Sequence, residues 1–264
     1  MKVNRLYYGE NENQFGDLRL PGCEGPYPVA IVIHGGFWRA KFGLDIMDRF
    51  CEALTNGGLA TWNIEYRRVG QEGGGWPGTF KDAAKAADFL YKIGPANTLD
   101  LDRVVSIGHS AGGHLALWLG GRHRLSELSS LRSGKSFPLK GAVSLAGVND
   151  LALMQEVHHI PEVRYGEHNN PVRDLLGSPD ECLDRYDQAS PIRLLPLGIP
   201  QVLIHGSLDI HVPVGLSHHY HNEAVRAGEN VKLVELPVAE HFKLIDPESE
   251  TWPIILEETL GLLK

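Results

Sequence analysis

The sequence predicts an α/β fold in which a mostly parallel central sheet carries helices on both faces and a small insertion. Three observations lead there. Short runs rich in β-branched residues recur along the chain, each followed by an amphipathic segment, the pattern of parallel strands joined by helical crossovers. A length of 264 residues is enough for one large core. With 42% apolar and 22% charged residues, the composition lies outside the range of disordered chains. A single domain over 1–264 is expected.

In chain order, stretches around Leu6 to Tyr8 and Phe15 to Leu20 suit an antiparallel edge hairpin ahead of a Pro- and Gly-rich turn at 21–28. The unbroken apolar run 29–33 reads as a strand buried on both faces. Further strands are expected at 60–66, 104–108, 141–146, 202–205 and 231–236. Between them, 79–92 is the clearest helix. Phe80, Ala83, Ala84, Ala87, Leu90 and Tyr91 follow the helical period there, and Thr79 with Asp82 has capping-box spacing. The segment 148–195 holds Pro161, Pro171, Pro179 and Pro191 and no sustained period, so it reads as an irregular lid or substrate-facing insertion.

A balance of 25 basic against 33 acidic side chains leaves a net charge of −8 without a basic block, which argues against a nucleic-acid partner. Cys23, Cys51 and Cys182 are odd in number and lack C-x-x-C spacing, pointing to a reducing compartment rather than a disulfide framework. No stretch approaches the roughly 18 apolar residues of a membrane span, and the start does not resemble a signal peptide. A cytoplasmic protein without a membrane partner is therefore expected; a homodimer is left open.

Gly108-His109-Ser110-Ala111-Gly112 fits G-x-S-x-G between an expected strand and a helical segment, the setting in which a serine projects its hydroxyl from a sharp turn. A hydroxyl becomes a nucleophile when a base takes its proton, and the base in turn needs a carboxylate to hold it. Asp209 follows the strand 202–205 and His241 follows the strand 231–236, so both fall at the same sheet edge as Ser110. Asp150 and Glu240 are rival acids, with Asp209 favoured by its context. Among thirteen histidines, His109 and His114 flank the serine, His34 and His205 end strands, and His211 sits in a loop; position after the last strand singles out His241.

The turn His34-Gly35-Gly36-Phe37-Trp38 follows the first buried strand. Gly35 and Gly36 let backbone amides approach a substrate oxygen and join that of Ala111 as oxyanion donors. Phe37, Trp38 and Trp76 are read as walls of an aromatic or apolar substrate pocket. His158, His159 and His168, and the group His218, His219 and His221, lack zinc spacing, so no metal is expected. Gly73-Gly74-Gly75 lacks the residues of a phosphate loop or dinucleotide site, and no cofactor is expected.

Together these motifs resemble the α/β-hydrolase superfamily over nearly the whole chain, and within it the small esterase and arylformamidase branch. HGGFW at 34–38 is similar to that branch's oxyanion segment, GHSAGG at 108–113 to its nucleophile elbow, HGSLDIHVP at 205–213 to its acid loop, and EHFKLIDP at 240–247 to its histidine loop. The resemblance implies Ser110 as nucleophile, Asp209 as acid, His241 as base, and Gly35, Gly36 and Ala111 as oxyanion donors. Hormone-sensitive-lipase-like enzymes carry a third glycine where this chain has Phe37. An aromatic there is closer to kynurenine formamidase and to bacterial feruloyl or acetyl esterases.

The expected activity is hydrolysis of a small carboxylic ester through an acyl-enzyme, without a cofactor. The alternatives are an arylformamidase acting on N-formylkynurenine and, from another class, a non-catalytic ligand-binding protein on the same fold.

Overall fold

The computed structural model describes residues 2–132, 134, 136–166 and 169–264. Its centre is an eight-stranded sheet in the order β1-β2-β4-β3-β5-β6-β7-β8. β1 (Val3–Tyr7) and β2 (Phe15–Arg19) form the antiparallel hairpin at one edge, and β2 also runs antiparallel to β4 (Ala60–Ile64). From β4 onward all pairings are parallel, through β3 (Tyr27–Ile33), β5 (Leu99–His109), β6 (Gly141–Leu145), β7 (Gln201–Gly206) and β8 (Val231–Leu236). The predicted α/β class is the observed one.

Alternate residues of the central strands feed two cores. Val29, Ile31 and Ile33 face one side, with Phe80 of α2 (Gly78–Asp88), Leu115 and Trp118 of α4 (Ala111–Gly121), and Tyr220 of α8 (Gly215–Arg226). Ala30, Val32, Val105 and Ile107 face the other, with Phe50 and Leu54 of α1 (Asp48–Asn56) and Ile255 of α9 (Trp252–Gly261). Both faces of these strands are thus buried, which is why β3 reads as a continuous apolar run and the central part of β5 as one broken only by Ser106. α4 is buried along its whole length, and its sequence AGGHLALWLGG accordingly lacks a polar face.

Two expectations are corrected. The helix expected at 79–92 is α2 followed by the short α3 (Leu90–Ile93), and its capping box does not form. The helix begins one residue before Thr79, whose hydroxyl donates to the Arg67 carbonyl at 2.5 Å, while Asp82 is taken by the Arg67 guanidinium at 2.7 and 2.8 Å. The described part of 148–195 is mainly helical rather than irregular: α5 (Leu151–Tyr165), α6 (Pro171–Leu176) and α7 (Pro179–Ala189). Asp150 caps α5 by accepting from the Leu153 amide at 3.1 Å, and Asn170 caps α6 by accepting from the Arg173 amide at 3.2 Å.

In a parallel sheet the carboxyl ends of the strands lie along one edge, where α/β folds place their ligands. Ile33 of β3 pairs with Gly108 of β5, His109 with Leu145 of β6, and Gly206 of β7 with Leu236 of β8. The loops carrying Gly35, Ser110, Asp209 and His241 all leave from this edge.

Candidate active site

Ser110 stands between the end of β5 and the start of α4, with φ 56° and ψ −119°. Such a left-handed φ is strained for a residue other than glycine, and the surroundings hold it. The Ser110 amide donates to the Leu145 carbonyl at 2.8 Å, and its own carbonyl accepts from the His114 amide at 3.1 Å. The flanking glycines are required by space. A methyl group on Gly108 would lie 2.1 Å from the Gly112 carbonyl oxygen, and one on Gly112 would lie 2.0 Å from that of Ile33.

Asp209 follows β7 and His241 follows β8, and the structure brings their side chains together with His241 Nδ1 2.5 Å from Asp209 Oδ2. The other carboxylate oxygen, Oδ1, accepts from the amides of His211 at 2.8 Å and Val212 at 2.9 Å. Burial works against a charge on Asp209, but hydrogen bonds from His205 and His241 outweigh it and hold the carboxyl well below the usual carboxylate range. Asp209 therefore stays ionised. Glu240 is occupied as a cap, accepting from the amides of Phe242 at 2.9 Å and Lys243 at 2.8 Å, and Asp150 caps α5 beside His219.

Gly35 runs so close to the elbow that a methyl group on it would lie 3.0 Å from Ser110 Cβ and 2.8 Å from the His109 carbonyl oxygen. Gly36, at φ +105°, follows, and then Phe37 and Trp38 at φ 52° and 56°. Among the described residues, neither the Gly36 amide nor the Ala111 amide finds an acceptor within the chain. Ala111 is the first residue of α4, so its amide also carries the positive end of the helix dipole. From beneath, the turn is tied down by His34: Nε2 lies 2.9 Å from Glu65 Oε1, and the ring stacks on Tyr66 at 4.4 Å.

Ser110 and His241 open into one cleft of ≈ 280 Å³ whose surface is mostly apolar. Gly36, Phe37, Phe42, Ile46, Phe242 and Ile245 supply its walls, and His211 stands at its exposed rim. Phe42, Ile46, Phe242 and Ile245 were not singled out from the sequence. Phe42 lies just before a 3-10 turn (Leu44–Met47), Ile46 within it, and Phe242 and Ile245 within another (His241–Ile245), where no periodicity marks the face that meets the cleft. Among the described residues no hydrogen bond joins the Ser110 hydroxyl to the His241 imidazole, a contact that often tightens only around a substrate.

Of the three aromatic residues expected at the pocket, the structure places Phe37 there and not the other two. Trp38 is wholly buried, and its indole N–H donates to His114 Nδ1 at 3.2 Å. Trp76 packs edge-on against Phe80 at 5.6 Å, and its amide donates to the Leu175 carbonyl at 3.0 Å. Among the described residues, those lining the cleft include none from 148–195; that segment instead meets the turn after β3 from outside, His158 against Phe37 and Asp174 against Arg39. His159 lies beside Glu162, His218 beside Glu235 and His219 beside Asp150, and His168 falls outside the described residues. Among the described residues, no His, Cys, Asp and Glu side chains gather as a metal site.

Two buried histidines stay neutral. Burial, reinforced by neighbouring His241, lowers His109 to about 3, and burial lowers His114 to about 4. A folded value below the unfolded one near 6.5 means that acid protonates the unfolded chain first. The stability from each neutral ring is complete above about pH 6.5 and is lost as the pH falls toward the folded value. For His114 the drop from 6.5 to about 4, at roughly 1.4 kcal/mol per pH unit, is worth about 3 kcal/mol. Calorimetric melting temperatures should fall more steeply between pH 6.5 and 4 for the parent than for His114→Gln, which cannot titrate. Parallel slopes would contradict this.

The BD-FAE family profile matches residues 17–223 of the chain. A probable isoprenylcysteine alpha-carbonyl methylesterase of Arabidopsis thaliana is 24% identical over 239 residues, covering 87% of this chain and 48% of that protein. A versiconal hemiacetal acetate esterase of Dothistroma septosporum is 31% identical over 132 residues, covering 48% of this chain and 36% of that one. The chain spans about half or less of the length of these curated relatives. Among solved structures, esterase B from Lactobacillus rhamnosis superposes with a TM-score of 0.83 at 20% identity, over 99% of this chain and 86% of that one. A truncated carbohydrate esterase from gut microbiota does so with a TM-score of 0.80 at 20% identity, over 98% and 94%. These superpositions identify the fold as that of the α/β-hydrolases. No described helix is long and apolar enough to cross a membrane.

Proposed function

The chain belongs to the BD-FAE family, and from that premise we propose that it hydrolyses small carboxylic esters through a covalent acyl-enzyme on Ser110. The observation that carries this reading is the shared cleft: Ser110 and His241 open into it together, and His241 is held from behind by an ionised Asp209. The esterase names of its relatives agree with it.

In this mechanism Ser110 Oγ attacks the ester carbonyl carbon while His241 Nε2 takes the hydroxyl proton. Negative charge gathers on the carbonyl oxygen, where the amides of Ala111 and of the turn at Gly35 and Gly36 receive it. As the intermediate collapses, the C–O bond breaks and His241 returns the proton to the departing alcohol. Water, deprotonated by the same imidazole, then releases the acid and restores Ser110. Asp209 keeps the hydrogen of His241 on Nδ1, leaving Nε2 free to accept.

The cleft selects the substrate. With apolar walls and ≈ 280 Å³ of space, it takes an uncharged group of modest size and leaves an anionic one without a partner. The segment 148–195 supports the turn that bears Phe37, an insertion within one domain spanning 1–264.

The test pairs covalent labelling with a substrate panel. Ser110 should carry the adduct of a fluorophosphonate probe, located by peptide mass. The ratio kcat/KM should be higher for acetyl and butyryl p-nitrophenyl esters than for the octanoyl ester or N-formylkynurenine. A clear preference for the formamide would replace the ester reading by an arylformamidase. No labelling would point to a ligand-binding protein without an activated serine.

A further inference from the structure

We infer that His205 is a positioning residue, fixing the Asp209 carboxylate in the orientation that holds His241; this rests on the catalytic roles proposed above. His205 lies in β7, four residues before Asp209, and both side chains are completely buried. Its Nε2 faces two acceptors, the Val212 carbonyl oxygen at 2.9 Å and Asp209 Oδ2 at 3.2 Å, so this nitrogen must carry a hydrogen. Its Nδ1 lies 2.7 Å from Ser217 Oγ of α8, whose hydroxyl can donate to it when the ring hydrogen is on Nε2. That one tautomer has a partner for both nitrogens.

The consequence falls on Asp209. Its Oδ1 is held by two backbone amides, and its Oδ2 meets His241 Nδ1 at 2.5 Å and His205 Nε2 at 3.2 Å, the latter sharing its one hydrogen with the Val212 carbonyl. These contacts together set the rotation of the carboxylate. Without His205 the Oδ2 edge would be held by His241 alone, the group it is meant to orient, and the Val212 carbonyl on the same loop would lose its partner. The line from Asp209 through His241 toward Ser110 would then loosen at its far end. His205 does not line the cleft, so its loss should act on turnover rather than on substrate affinity.

The experiment compares His205→Leu, which removes both nitrogens, with His205→Gln, whose side-chain amide can still donate toward Asp209. Removing the hydrogen-bond partner that orients a metal ligand costs about 10- to 100-fold, and the same scale is taken for a partner that orients a carboxylate. We expect His205→Leu to lose kcat on that scale with KM within about twofold, and the fluorophosphonate labelling rate to fall in step. The downfield NMR resonance of the His241 Nδ1 proton should shift or broaden. His205→Gln should recover most of the turnover and the resonance. If His205→Leu does not fold, Ser217→Ala carries the test: kcat should fall by about threefold or more at unchanged KM, and a parental kcat would overturn the inference. Parental kcat, labelling and resonance in a folded His205→Leu would overturn it too, as would a loss of turnover that His205→Gln leaves unrecovered. If the parent itself is not labelled at Ser110, the catalytic reading falls and this inference falls with it. A labelled parent with an equally labelled Leu variant removes the inference about His205 alone.

Discussion

Ser110→Ala is expected to fold like the parent and to lose about 10⁴-fold or more in kcat on p-nitrophenyl butyrate. The two halves of this expectation have different physical sources. Among the described residues the Ser110 hydroxyl makes no hydrogen bond, and the backbone of the elbow is held by the Ser110 amide on Leu145 and the His114 amide on the Ser110 carbonyl. Alanine keeps both and differs only by the lost oxygen, so the melting temperature should stay within a few degrees. In the proposed mechanism the oxygen itself carries the covalent chemistry. Without it the imidazole would have no hydroxyl to deprotonate, and catalysis would fall back on the proposed oxyanion donors and on binding. Mass spectrometry should find the fluorophosphonate adduct on the parent and not on the variant. A variant that keeps parental turnover would place the nucleophile elsewhere.

The sequence revealed most where burial imposes a simple pattern. β3, β5, β6 and β7 are covered on both faces, so their central residues form apolar runs, unbroken in β3 and β7 and interrupted by one serine each in β5 (Ser106) and β6 (Ser144), that need no partner information to recognise. β5 begins at Leu99, earlier than expected, because 99–103 reads LDLDR and only part of it enters the core. α5 was illegible for the opposite reason. His158, His159 and Pro161 interrupt any apolar stripe, while Ile160 and Val163 are exposed, so periodicity cannot mark its buried side. The loops that meet at the cleft were legible from their chemistry, since the elbow needs small residues around Ser110 and a parallel sheet brings its strand ends to one edge. The walls were not. Phe37 and Trp38 are neighbours with nearly equal φ, yet one lines the cleft and the other is core. The face a loop side chain takes is decided by what packs behind it, here His114 beneath Trp38.

Asp209→Asn should cost about 10³- to 10⁴-fold in kcat while leaving the chain folded, and the reason lies in which oxygen the asparagine can keep. Oδ1 accepts from the His211 and Val212 amides, so the carbonyl oxygen of the new side chain must stay there. Its NH₂ group then turns toward His241 Nδ1, where the parent has an acceptor 2.5 Å away. A donor in that place forces Nδ1 to accept and moves the imidazole hydrogen to Nε2, the atom that takes the proton of Ser110 in the proposed mechanism. The proposed base would thus be present but in the wrong tautomer. The same NH₂ group also meets the Nε2 hydrogen of His205, so some stability is lost as well. The rival carboxylates supply the control. Glu240→Gln and Asp150→Asn affect caps at 3-10 and α-helical ends, and both should keep kcat within about threefold of the parent. Steady-state kinetics on folded variants at one pH decides the matter: an Asp209→Asn enzyme within tenfold of the parent, or a Glu240→Gln enzyme that falls as far, would remove Asp209 from the site.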